Sequence, residues 1–138
     1  MATTECLVER AGSGWIITIP LPPVPASRPR VSRWGTYYLK TYATWKAEAE
    51  RLLSEYKVPD LLTKAVHVEV HSFAKRPKKL VRPYPRADVD NYAKAVLDAI
   101  TKSECLWKDD DQVIQLTTTK RYAEPDEEPC TRVYIKEK

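Results

Sequence analysis

The chain has 138 residues, 43% hydrophobic and 30% charged, a balance that suits one globular domain over 1–138 and excludes a disordered or membrane-embedded chain. Its three cysteines, Cys6, Cys105 and Cys130, are scattered without a C-x-x-C pair, which excludes a disulfide scaffold and a zinc knuckle. Net charge is only +4, yet Lys75 to Arg86 carries six basic residues (Lys75, Arg76, Lys78, Lys79, Arg82 and Arg86) and no acid, so positive charge is concentrated where a polyanion would be met.

Trp15 to Ile19 is a β-branched run stopped by Pro20 and reads as the first strand. The apolar run WIITIPLPPVP is broken by prolines and has no basic lead, so it is read neither as a signal peptide nor as a membrane span, and a cytoplasmic location is expected. The connection LPPVPASRPR follows, with Arg28 and Arg30 held extended by Pro25 and Pro29. Trp34 to Leu39 reads as a second short strand. From Thr41 the period becomes helical, with Trp45, Ala49, Leu52, Leu53 and Tyr56 on one face, Thr41 or Thr44 as N-cap, and an end before Pro59.

Ala65 to Phe73 alternates, Val66, Val68 and Val70 against His67, Glu69 and His71, which predicts a half-buried strand. After the basic loop a second helix is predicted from Val89 to Lys102, with the apolar stripe Val89, Tyr92, Ala93, Val96, Leu97 and Ile100 opposite Asp90, Asn91, Lys94 and Asp98. Val113 to Tyr122 and Thr131 to Lys136 read as closing strands, joined by AEPDEEP as a solvated turn. The order β-β-α-β-α-β-β predicts an α+β domain, a mixed sheet with two main helices packed on it.

Asp88 and Asp90 straddle the start of the second helix, immediately behind the basic tract. Structural roles are open to each: Asp88 as helix cap, Asp90 as complement to the helix dipole, and Asp90 with Lys94 as an i,i+4 ion pair. A second acidic group, Asp109 to Asp111, precedes a strand, so the chain can fold a third carboxylate toward the first two. Convergent oxygen ligands suit Mg²⁺, the basic loop suits a phosphodiester backbone, and Lys94, one turn beyond Asp90, suits the scissile phosphate. Other chemistries fit less well. The H-x-E-x-H of His67, Glu69 and His71 is more often plain strand surface than a zinc site. D-V-D-N lacks the glycine and distal Glu of an EF-hand, and all three glycines precede position 36, leaving no phosphate-binding glycine loop.

The segments D-V-D-N-Y-A-K-A-V-L-D-A-I, Asp88 to Ile100, and W-K-D-D-D-Q-V, Trp107 to Val113, resemble the RusA family of Holliday-junction resolvases, and the N-terminal P-L-P-P-V-P-A-S-R-P-R stretch with Lys120 near the end of the penultimate strand resembles its phage and prophage branch. That family's signature is D-x-D-N, a Lys four residues after the second Asp, and a later D-D-x-Q-V. The resemblance implies a RusA-like fold and a homodimeric, Mg²⁺-dependent endodeoxyribonuclease, with Mn²⁺ as substitute, in a bacterial or phage-infected cell. Such an enzyme resolves four-way DNA junctions by paired symmetric nicks in recombination and repair. Carried onto this chain, it makes Asp88, Asp90 and Asp110 the metal ligands and Lys94 the fourth catalytic residue, although the run of aspartates leaves Asp109 and Asp111 as rivals for the third ligand. The expected DNA contacts are Arg28, Arg30, Lys75, Arg76, Lys78, Lys79, Arg82, Arg86, Asn91 and Lys120. Ser103 to Leu106 departs from the family pattern, lacking the usual glycine after the helix. Two-fold junction symmetry independently favours an isologous dimer, because two equivalent cuts need two identical sites. The alternatives are a flap or branched-DNA nuclease of the same metal chemistry and a DNA-binding protein without catalysis. Among the aromatics Trp34, Tyr37, Tyr84 and Trp107, core packing is expected of most and a DNA contact of Tyr84.

Overall fold

A computed structural model describes residues 7–27, 30–37, 40–56 and 58–138. Among these residues seven strands and two α-helices follow in the order β1 (Leu7–Ala11), β2 (Gly14–Ile19), β3 (Arg30–Ser32), β4 (Gly35–Tyr37), α1 (Lys40–Ser54), β5 (Val66–Ala74), α2 (Val89–Ser103), β6 (Val113–Tyr122) and β7 (Cys130–Glu137). The main sheet runs β1-β2-β7-β5-β6. β5 and β6 are parallel, and every other pairing in that sheet is antiparallel, so the expected α+β architecture with a mixed sheet and two packed helices is the one observed.

The alternation of β5 does what its sequence requires. Val66, Val68 and Val70 are buried on the helix side, while His67, Glu69 and His71 stand on the other face. Trp45, Ala49, Leu52 and Leu53 of α1 and Ala93, Val96, Ala99 and Ile100 of α2 close over them, together with Ile17, Ile19, Val133 and Ile135 of the central strands. Removing these apolar groups from water is the main stabilising term, roughly 25 cal/mol per Å² of apolar surface.

Several boundaries differ from expectation. β1 was not anticipated; it pairs with β2 across a tight turn in which Gly12 has φ +58°, and Gly14 lets β7 approach so closely that a Cβ there would stand 2.3 Å from the Ile135 carbonyl oxygen. The expected strand from Trp34 is instead half of a small β3–β4 hairpin whose turn holds Trp34, with Ser32 Oγ accepting from the Trp34 N–H at 3.1 Å. Trp34 is therefore 84% exposed and packs in no core. Tyr38 and Leu39 lie outside the described residues. Helix α1 starts at Lys40, so Thr41 and Thr44 sit inside it and neither is the N-cap. The acidic loop after β6 is less free than expected: Glu127 accepts from Arg121 at 2.8 and 3.2 Å, and this pairing holds the Glu127 carboxyl down at about 2.

The parallel pair β5–β6 positions the rest. Its crossover leaves β5 through the basic loop, returns along α2 and re-enters the sheet through Trp107–Gln112. Basic tract, first acidic pair and second acidic run thus lie on one continuous excursion over the sheet.

Candidate active site

Three prolines, Pro77, Pro83 and Pro85, keep the basic loop out of helix or sheet, so its shape comes from anchors elsewhere. Arg76 Nε donates to the Ala123 carbonyl at 3.1 Å, and Tyr122 Oη donates to the Tyr84 carbonyl at 3.1 Å. Lys120 Nζ donates to the carbonyls of Pro85 and Ala87 at 2.9 and 2.6 Å. The cations of Arg82 and Lys120 lie 5.7 and 5.4 Å from the centroid of the Tyr84 ring, which is 53% exposed. Lys75, Lys78, Lys79, Arg82 and Arg86 are exposed and, among the described residues, form no ion pair. Five unneutralised cations on one anchored loop make a strong local field for phosphates. Arg28 lies outside the described residues, and Arg30 opens β3.

Asp88 occupies the N-cap position of α2, with φ −66° and ψ 137°, but its side chain makes no capping hydrogen bond. The cap role is left to its backbone carbonyl, which accepts from the N–H groups of Asn91 and Tyr92 at 3.1 and 3.3 Å. Asp90, in the first turn, is exposed as well. The simple ion pair of Asp90 with Lys94 does not form; Lys94 Nζ reaches Asp98 instead, at 4.0 Å. Both carboxylates at the head of α2 are thus open to solvent, where the helix dipole favours negative charge. The proline-rich connection docks beside them, with the Ala26 N–H donating to the Asn91 carbonyl at 2.9 Å, and a cleft of about 400 Å³ opens there between Ser27, Thr41, Arg86, Asp88 and Asn91.

The second acidic run is set by Trp107, which is fully buried and donates from Nε1 to Thr101 Oγ1 at 2.8 Å. Before it the chain leaves α2 through Glu104, whose φ of 52° takes the left-handed conformation that a glycine would favour at this position. After it Asp110–Gln112 form a single 3₁₀ turn inside a capping box. Asp109 accepts from the Asp111 N–H at 3.1 Å, and Gln112 Nε2 donates to the Leu62 carbonyl at 2.8 Å. Asp109 is committed to this cap. Asp110 instead faces α2, where burial, a hydrogen bond shared with Asp109 and the charges of Asp98 and Asp109 push its carboxyl above the usual range, with Lys94 opposing. The charges of Asp98 and Lys94 on α2 thus both act on Asp110.

Asp98 was missed as a site residue. Its signal was present, since it lies four residues beyond Lys94 and eight beyond Asp90 on the same stripe. Among the described residues no group of three or more His, Cys, Asp or Glu side chains is gathered for a metal. Lys94 Nζ stands 4.0 Å from Asp98, and the charges of both act on Asp110. On the far face of the sheet His71 Nδ1 is hydrogen-bonded to Thr119 Oγ1 at 2.6 Å and its ring meets Tyr134 edge-on, an ordinary sheet-surface role.

Asp110→Asn has a readable effect on stability. A carboxyl raised in the folded state favours folding below its ordinary value of 3.8 and loses that contribution as pH climbs through the folded value. Ionised Asp110 is thus unfavourable at neutral pH, and the asparagine variant should have the higher urea midpoint at pH 7. The gap should close in acid; a lower midpoint for the variant at pH 7 would contradict the crowding of Asp110.

The profile of the endodeoxyribonuclease RusA family matches residues 20–136. The chain belongs to the RusA family. It is also similar to the uncharacterized protein YqaN of Bacillus subtilis strain 168, with 32% identity over 133 residues, covering 83% of this chain and 90% of that protein. Among solved structures it is similar to the periplasmic domain of Helicobacter pylori MotB, at 13% identity and a TM-score of 0.43, covering 96% of this chain and 79% of that one. A second MotB periplasmic-domain structure gives 13% identity and a TM-score of 0.45, over 96% and 68% of the two chains. The RusA family is one of endodeoxyribonucleases, so the basic loop and the acids beside it belong to a nuclease. No helix among the described residues is long and apolar enough to cross a membrane.

Proposed function

We propose that this RusA-family nuclease is a Mg²⁺-dependent homodimer that resolves four-way DNA junctions by paired symmetric nicks, in recombination and repair. The observation that carries the reading is the pair Asp88 and Asp90: two exposed carboxylates at a helix N-terminus that, among the described residues, make no side-chain capping bond and no ion pair, at the exit of an anchored loop bearing five cations that pair with no described acid. The donor set suits Mg²⁺ chemically, being oxygen only. This ion is usually held by one or two carboxylates while waters and substrate phosphates fill the remaining positions, so it needs no ready-made three-residue cage. Asp88 and Asp90 would hold it, with Asp110 as third ligand, and when bound it would supply Lewis-acid polarisation of a phosphate oxygen and an acidified water.

The remaining work falls to the chain. Lys75, Lys78, Lys79, Arg82 and Arg86 grip the backbone on either side of the cut and fix its register without reading sequence. Lys94, loosely held by Asp98 at 4.0 Å and 67% exposed, can turn to the scissile phosphate and stabilise the charge that develops there. Tyr84, with its face supported by two cations, offers a stacking surface to an unpaired base at the crossover.

The test is nicking of a labelled four-way junction against a linear duplex of the same sequence, with Mg²⁺ or with EDTA. Paired symmetric nicks on the junction alone, absent in EDTA, are expected. Equal cutting of the duplex would make this a general nuclease, and preferential cutting of a single-flap substrate would assign it to flaps.

A further inference from the structure

Three successive same-face residues of β6 tie down the approach to α2. Thr118 Oγ1 reaches the Val89 carbonyl at 3.5 Å, Lys120 Nζ holds the carbonyls of Pro85 and Ala87, and Tyr122 Oη holds that of Tyr84. Lys120 is the centre of this row. It is partly buried, and among the described residues it pairs with no carboxylate; two of its three N–H donors are spent on backbone carbonyls, the nearer one belonging to the residue immediately before Asp88. A flexible, strongly hydrated ammonium is a costly choice for joining a loop to a strand unless the loop must be held in one conformation. Pro85 and Arg86 lie in neither helix nor strand, so the segment has no ladder or helical hydrogen bonds to fix it and depends on such anchors.

We propose that Lys120 is a positioning residue. By clamping the Pro85 and Ala87 carbonyls it fixes the backbone that enters α2 and so sets the direction in which the uncapped Asp88 carboxylate points, in place of serving as one more phosphate contact. The inference rests on the nuclease reading above. Small displacements of a reacting group cost rate steeply, about 10²-fold for 1 Å, so a loosened clamp should slow the chemistry far more than binding.

The experiment compares wild type with Lys120→Met in three readouts. Limited trypsin digestion, followed by mass spectrometry at the Arg86–Ala87 bond, needs no activity; the variant should be nicked there several-fold faster. Junction affinity in EDTA should stay within about twofold of wild type, and its dependence on salt should keep the same slope, because no phosphate contact is lost. The single-turnover nicking rate at saturating enzyme with Mg²⁺ should fall about 10- to 100-fold. Unchanged digestion at Arg86 would overturn the proposal, as would a wild-type nicking rate. A salt slope shallower by about 0.9 with a normal rate would also overturn it, by marking Lys120 as a phosphate contact. If wild type cuts no branched DNA, the function reading falls while the Arg86 digestion still tests the clamp. Lys120→Gln, which keeps a donor but loses the reach, carries the same readouts should the methionine variant fail to fold.

Discussion

Asp90→Asn is expected to slow junction nicking on the order of 10³-fold while leaving junction affinity equal to wild type or tighter. Asp90 sits in the first turn of α2, exposed, with its neighbour Lys94 turned toward Asp98, so the carboxylate does no structural work that the substitution removes apart from its place at the helix N-terminus. That contribution is worth only about 0.3–1 kcal/mol. On the proposed reading, in which Asp90 would be a metal ligand, its loss would remove several kcal/mol of transition-state stabilisation, and every 1.36 kcal/mol is tenfold in rate. Binding moves the other way, because a negative charge leaves the vicinity of the DNA backbone. The decisive comparison is single-turnover nicking beside gel-shift affinity in EDTA, with the urea midpoint as control for folding. A variant that nicks at the wild-type rate would return Asp90 to the helix dipole and nothing more.

How much of this was legible in the sequence depended on whether the signal was local. The alternation Val66, Val68, Val70 and the 3.6-residue stripe from Val89 to Ile100 each fix an element and its buried face, and both elements stand where they were predicted. β1 was hidden because LVERA has no strong alternation of its own; its partner β2 makes it a strand. Trp34 misled because an aromatic beside Gly35 reads as strand, whereas the Ser32 hydroxyl and the glycine at φ +125° make the turn there and leave the ring outside. In the site, the D-x-D-N spacing and the charge of the basic loop were open to reading. The neighbourhood of Asp110 was not, since it depends on how α2 crosses in front of the 3₁₀ turn. The carbonyl clamp of Lys120 was equally hidden: 33 residues separate Lys120 from Ala87, and only the register of β6 brings them together.

Trp107→Ala should be the most damaging single change to the fold, at about 3–5 kcal/mol, against a total stability of about 5–15 kcal/mol for a domain of this kind. The indole has no exposed surface and belongs to the main core with Cys105 and Leu106, which are equally buried, while the Trp107 backbone forms a β-bridge with Leu62 at the point where the chain turns from α2 toward β6. Truncation leaves a cavity of indole size and strips Thr101 Oγ1 of its donor. Trp107→Phe separates the two effects: most of the volume stays and only the hydrogen bond goes, so its cost should be about 1 kcal/mol from that bond plus an imperfect fit. Urea unfolding of both variants measures this, and an alanine variant within about 1 kcal/mol of wild type would contradict the packing. The consequence for function follows from position, because Trp107 is the last buried residue before Asp109 and Asp110 and its anchorage determines where the capping box presents them. The alanine variant should therefore lose nicking even under conditions where it is still folded. The signatures of the two variants are opposite: Asp90→Asn removes activity from an intact fold, whereas Trp107→Ala loses activity because the scaffold no longer holds the second acidic run against Lys94 and Asp98.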